Sequence, residues 1–571
     1  MFTSLPQTSE EFEVLSWAEI EPWYRELLNS ALSPEILQPW LMQWSSLSAL
    51  VDETTMRFEI ACTQNTADEE RAQRKQRFME EVYAPVQTLD QQVKEQLLAS
   101  GLEPEGFAIP LRNLRAEAAL YREENLSLLN NDKALSDEYV QIGGDQMVMW
   151  EGKEVALPSL YTILHDPERA RRERVWRAMA ERQLMDQERL NEVWRKKMQV
   201  RQQIARNAGY ENYRDYRWQQ LLRFDYTPAG CRALHEDVER VIVPAAHRLW
   251  EKRRQQLGVE KLRPWDVWVN PRAREAPRAV SDVDGLLRQC ATAFHLIDPQ
   301  LGGYFDIMLQ ERLLDLEERP YKADAGYNLP LEVRHRPFIF GLVNSITDIV
   351  PLIFHEAGHA FHVFETIPLP YIHQRKEGAV PIEFAEVAST SMEFIGAMYL
   401  QQAGLCTKQE AALLCIQHLE GMLTNYLPAI IIGDAFQHWV YDHLEQALDA
   451  KKCQQKWVEL SQRYQPDIDW SGLEAERSNG WQGTSHFYCD PLYYIEYAFA
   501  ALGAFQVWNN YLHDPKTALQ QYRFALSLGA TRTVPQLYEA AGAKFAFDEE
   551  VLQLVLRLVS QTVEQLEEQV A

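Results

Sequence analysis

Between Ile349 and Phe364 the chain is apolar on nearly every side, yet His355-Glu356-Ala357-Gly358-His359 sits at its centre. A segment of this kind folds as a buried helix, because a surface helix keeps a polar face. Residues four apart lie one above the other, so His355 and His359 share a face and can bind one zinc ion. Glu356 points about 100° around the axis, within reach of a water beside that ion. With 14 His in 571 residues, the pattern arises by chance roughly 0.03 times in such a chain, so coincidence is a poor explanation. Thr347 and Asp348 can cap the start, and Pro351 falls near the first turn, where a missing N–H is tolerated. Gly358 costs about 1 kcal/mol in a helix interior, which implies close approach of another backbone or of a substrate.

A catalytic zinc needs a third protein ligand and one open position. Glu365 stands where a ligand would follow a tight turn, but His362 occupies the place that turn needs for Gly. His362 shares the face of the other two histidines, yet three ligands on one straight helix spread too far along its axis, so it reads as a packing residue. A second helix after Pro368-Leu369-Pro370 offers Glu383, Glu386 and Glu393. Spacing alone does not choose among them. Glu393 or Asp348 can also orient a zinc-bound histidine from behind.

The chain has 83 acidic against 57 basic residues, a formal charge of −26, which argues against nucleic acid or an anionic membrane as partner. No apolar stretch is long enough to span a bilayer, and Met1-Phe2-Thr3-Ser4-Leu5-Pro6 lacks the pattern of a secretory leader. Seven scattered cysteines (62, 231, 290, 406, 415, 453 and 489) without a Cys-x-x-Cys pair read as free thiols, and the expected location is cytoplasmic.

Most of the chain reads as helix. Ser33-Pro34-Glu35 and the capping box Thr66-Ala67-Asp68-Glu69 open helices, and Pro167 to Arg206 is a helical stretch crowded with charge. Met147–Trp150, Glu151-Gly152 and Lys153–Leu157 spell a β-hairpin with a two-residue turn. Arg169, Arg171, Arg172, Arg174 and Arg177 read as a face laced with ion pairs, or as a grip on a substrate carboxylate. Pro337 to Asn344, including Phe340 and Gly341, is a strand just before the metal helix. It is either an edge that an extended peptide can join or a strand buried on both sides. Ser485 to Tyr497 supplies His486 and the phenols of Tyr488, Tyr493, Tyr494 and Tyr497. An oxyanion formed during peptide hydrolysis needs such donors, although an aromatic cluster also packs cores.

Three segments together, His355-Glu-Ala-Gly-His-Ala-Phe-His362, Phe384-Ala-Glu-Val-Ala-Ser-Thr390 and Ser485-His-Phe-Tyr488, resemble the thimet-type zinc oligopeptidases, closest to the oligoendopeptidase F branch. The likeness extends over roughly residues 200 to 560, with Ala208-Gly209-Tyr210-Glu211-Asn212-Tyr213 upstream and Val534 to Gly542 downstream. It departs from the thimet branch at Asp490-Pro491, where that branch carries a glycine-rich loop. The resemblance implies a mainly α fold, elongated and two-lobed, with a deep central channel and a small β-sheet near the zinc helix. It implies Glu386 as third ligand of a single zinc, and His486, Tyr494 and Tyr497 as catalytic donors. Phe340, Gly341, Tyr488 and Tyr493 are then candidates to hold substrate.

The expected division is an N-terminal helical lobe over 1–200, carrying the hairpin, and a catalytic domain over 201–571. The expected activity is hydrolysis of internal bonds in short unstructured peptides, with Glu356 as general base. A helical zinc carboxypeptidase and a non-catalytic peptide-binding protein are the rival readings. The first needs a fixed basic residue for the peptide carboxylate, and the second has no use for Glu356. Oligomeric state is not encoded in any of these features.

Overall fold

The computed structural model describes residues 5–376 and 378–570. Most of Met1 to Pro6, the basis for reading the N-terminus, lies outside the described residues. Contacts divide the chain into two units, each assembled from three separate segments. The first takes 1–119, 279–406 and 503–545; the second takes 120–278, 407–502 and 546–571. Both are mainly helical, as the sequence implies. No described helix is long and apolar enough to cross a membrane.

In the first unit, the helix Pro34–Gln64 starts after Ser33 with proline in its opening turn and runs through Pro39 without ending. Its Trp40 and Trp44 join Phe12, Phe107 and Tyr371 in a closed apolar cluster. The next helix, Glu69–Phe78, is capped by Asp68, whose carboxylate accepts from Arg71 N at 3.1 Å. The sequence pattern put that cap on Thr66, but the Thr66 N–H is taken by the Tyr321 carbonyl.

The hairpin of the second unit forms as expected. Strands β1 (Met147–Trp150) and β2 (Lys153–Ala156) pair antiparallel. Glu151 and Gly152 both take positive φ (49° and 83°), which such a tight turn requires.

A three-stranded sheet lies in the first unit, formed by β3 (Leu314–Asp315), β4 (Tyr327–Leu331) and β5 (Arg336–Phe340). Its order is β3-β5-β4, so the strand predicted before the metal helix is the central one. It pairs parallel with β3 and antiparallel with β4, and packs on the helix that follows.

Candidate active site

The metal helix, His355–Thr366, is entered through a tight turn at Ile346–Asp348 and a widened turn at Ile349–Phe354. Pro351 sits in that widened turn. Ser345 caps the entry, its hydroxyl accepting from Thr347 N, while Asp348 reaches back to the amides of Asn344 (2.8 Å) and Ser345 (2.9 Å). Asp348 therefore serves the backbone as a cap; Thr347 donates and does not cap.

The facing helix, Ile382–Ala397, is buried along nearly its whole length. Two glycines let it lie close: Gly358 backs onto Ala388 and Ser389, and Gly396 leaves room for the Phe354 ring. Tyr522 and Tyr538 fix its path by donating to the carbonyls of Ala388 (2.9 Å) and Glu383 (3.2 Å).

This packing brings His355, His359 and Glu386 together, one donor atom from each within 4.8 Å of the others. The Nε2 atoms of His355 and His359 lie 3.4 and 3.5 Å from the same Glu386 oxygen, Oε2. Glu393 takes His355 from behind, its Oε1 2.7 Å from Nδ1. A proton held on Nδ1 by that carboxylate leaves the Nε2 lone pair pointing at the group. Ser389 donates to Glu386 Oε2 at 2.9 Å and fixes the carboxylate. Burial pushes the Glu386 carboxyl up, but the two histidines outweigh it and hold it well below its ordinary range. The donors (two imidazoles and one carboxylate) form a three-ligand set of the kind that catalytic zinc uses. The histidine side chains keep about a fifth of their surface exposed, so the group opens on one side.

Glu356 is buried, and burial raises its carboxyl above the ordinary range against the pull of His355 and His359. His362 packs edge-on against Phe384, and burial pushes its imidazole down to about 3, as suits a neutral packing residue. Glu365 is engaged by Arg523 at 2.7 Å and Tyr304 at 3.3 Å.

The strand residues behave differently from the edge reading. Phe340 is fully buried, the Gly341 amide donates to Asp315 O (3.0 Å), and the Gly341 carbonyl accepts from Lys322 Nζ (2.7 Å). β5 pairs with β4 from Arg336 to Phe340 and with β3 at Ile339 and Phe340, so it is the inner strand of the sheet and not its edge.

In the second unit, Ser485–Tyr488 forms one helical turn, and the helix Tyr494–His513 begins there. His486 Nε2 lies 3.3 Å from the Tyr497 hydroxyl, and the rings of Tyr493 and Tyr494 flank it at 5.5 and 5.0 Å. All four are half-buried. Burial raises the Tyr494 phenol, so it stays a hydrogen-bond donor at neutral pH. Tyr488 is different: it is fully buried, stacked on Tyr139 at 4.2 Å, with its hydroxyl on Leu190 O. Two buried arginines hold this region. Arg201 donates to the carbonyls of Phe487 (2.9 Å) and Tyr488, and Arg223 to that of Leu492. Arg201 lies in a charge-rich helix and Arg223 in the loop after Tyr213–Gln220, and neither setting carries a sequence signal for such a role.

The arginine-rich stretch also resolves. Arg169 and Arg172 both grip Asp266, Arg171 pairs with Asp166, and Arg177 pairs with Glu173 one turn away.

A buried helix pair presenting two histidines and a glutamate, beside a further glutamate at the helix start, is the framework of a metallopeptidase. The profile of peptidase family M3 matches residues 162–285 and 304–555, and the chain belongs to that family. No curated protein matches. Among solved structures, Pz peptidase A with a bound inhibitor is similar over 96% of this chain and 97% of that one (26% identity, TM-score 0.88). A structure provisionally named oligoendopeptidase F is similar over 99% and 100% (26% identity, TM-score 0.89). Oligoendopeptidase F of Enterococcus faecium shares the fold over 98% and 99% (16% identity, TM-score 0.61). The thimet-type family and its oligoendopeptidase F branch are thus the chain's relatives, and it is an enzyme of the metallopeptidase class.

Proposed function

We propose that this metallopeptidase holds one zinc ion on His355, His359 and Glu386 and cleaves internal bonds of short, unstructured peptides. The observation that carries the reading is the convergence of both Nε2 atoms on Glu386 Oε2, with His355 Nδ1 tied to Glu393. When bound, zinc polarises the scissile carbonyl and acidifies water. Glu356 accepts the proton of the attacking water and returns it to the leaving nitrogen; its raised carboxyl range suits a group that both takes and gives a proton. Glu393 keeps His355 in one tautomer, and Ser389 keeps Glu386 in one rotamer.

His486, Tyr494 and Tyr497 are proposed, on family likeness, as donors to the developing oxyanion. Their clustering around one imidazole supports this. Tyr493 remains a candidate for the substrate backbone, whereas Phe340, Gly341 and Tyr488 are committed to their own core. The ion pairs of Arg169, Arg171, Arg172 and Arg177 engage four of the five arginines whose grip on a carboxylate would favour a carboxypeptidase, which supports the endopeptidase reading.

The test is mass spectrometry of mixed peptides with free and amidated C-termini, with and without chelator. Internal cuts in both forms, lost on chelation and restored by zinc, are expected. Trimming confined to free C-termini would overturn the endopeptidase reading. Full turnover by Glu356→Gln with metal bound would overturn the role of that base.

A further inference from the structure

A second set of metal-type donors lies inside the second unit, and the chemistry above uses none of it. The helix Pro228–Leu257 presents Cys231 and His235, four residues apart and therefore on one face. The helix Leu427–Asp442 presents Asp434 and His438 with the same spacing. The pairs meet: Cys231, Asp434 and His438 each offer a donor atom within 4.8 Å of the others. His235 Nε2 lies 2.7 Å from Asp434 Oδ2. All four residues are buried, with Cys231 and Asp434 fully so.

The hydrogen bonding of this cluster is incomplete. Asp434 Oδ1 and both ring nitrogens of His438 lack a hydrogen-bond partner among the described residues. His438 Nε2 comes within 3.4 Å of Asp434 Oδ2, but out of line for a bond. A buried polar atom left without a partner is destabilising. A plain packing account, with Cys231 as a small apolar residue and His235–Asp434 as a buried pair, leaves the His438 imidazole and one carboxylate oxygen unexplained. A cation between them explains both.

We propose that Cys231, Asp434 and His438 form a second, structural metal site for zinc, with His235 holding the Asp434 carboxylate. A thiolate, an imidazole and a carboxylate are zinc donors, and the sulfur argues against calcium or magnesium. Binding releases the thiol proton to solvent; thiolate and carboxylate then balance the two positive charges, as a buried site requires. The ion ties two helices whose sequence positions are about two hundred residues apart, and so acts on stability rather than turnover. The arrangement is independent of the zinc on His355, His359 and Glu386.

The two sites separate by spectroscopy, because the first contains no sulfur. Cobalt titrated into metal-free full-length enzyme is expected to give a thiolate-to-cobalt charge-transfer band in the near ultraviolet. Cys231→Ser removes that band and lowers bound metal from about two equivalents per chain to about one, with His355→Ala removing the other. Circular dichroism checks that Cys231→Ser folds. If it does not, the wild-type titration decides alone. Absence of the band in wild type, or its persistence in folded Cys231→Ser, overturns the proposal.

Discussion

A Cβ built on Gly358 would stand 2.5 Å from the Ala388 carbonyl oxygen, so the two helices that carry the proposed metal ligands meet backbone to backbone. Gly358→Ala gains about 1 kcal/mol of helix propensity but forces apart atoms that cannot rotate away, an overpacking that costs about 1–3 kcal/mol. The expected result is a less stable protein whose zinc affinity falls about tenfold or more, because His355 and His359 are carried away from Glu386. Competition with a chromophoric chelator measures it. Unchanged affinity would show that the close approach does not set the ligand spacing.

Glu393 reaches the metal group through His355 Nδ1. Glu393→Gln should weaken metal binding about 10- to 100-fold, the range for outer partners of ligating histidines. Asp348 accepts from the Asn344 and Ser345 amides and the Thr347 hydroxyl, so Asp348→Asn should leave metal affinity alone and lower stability by about 1 kcal/mol. Equal effects of the two substitutions on affinity would refute the division of labour.

Arg201 is fully buried and serves two carbonyls, the Tyr441 hydroxyl at 3.1 Å and Asp132 at 3.2 Å. Arg201→Ala strands the two carbonyls and the Tyr441 hydroxyl, leaves Asp132 to Lys197 alone, and should destabilise the second unit by about 3–5 kcal/mol, read as a lower urea midpoint. A loss below about 1 kcal/mol would mean that water replaces the guanidinium.

Glu332 offers a pH test. Burial, helped by Asp52, pushes its carboxyl up from 4.5 to about 7 despite the ion pair with Arg375. In that window the folded state binds more protons than the unfolded one, so stability present below pH 4.5 is lost as pH rises toward about 7. Glu332→Gln should flatten this part of the melting-temperature profile. Parallel profiles for wild type and variant between pH 4.5 and 7 would count against it.

The metal helix was legible because its chemistry is local. Two histidines at helical spacing in an apolar segment dictate burial, face and ligand geometry at once, and Gly358 announced a close neighbour. The choice among Glu383, Glu386 and Glu393 was not legible from spacing, since it depends on the angle at which two helices cross. Glu386 now faces the histidines and Glu393 stands behind one of them. The strand was read correctly in type, but the choice between an edge and a buried strand stayed open: β3, which makes β5 an inner strand, is two residues long and gave no pattern of its own. Arg201, Arg223 and the Cys231–His438 cluster stayed hidden for the same reason, being pairings across long sequence separations.

The metal pocket also has a timetable. Its proposed ligands sit between residues 355 and 386, but Tyr522 and Tyr538, which anchor the glutamate helix, come from the unit's last segment. A chain emerging from the ribosome therefore carries all three ligands well before it can hold them in register. Metal capture in the finished geometry belongs to the end of synthesis, and a fragment stopped short of residue 503 would own the motif without the site.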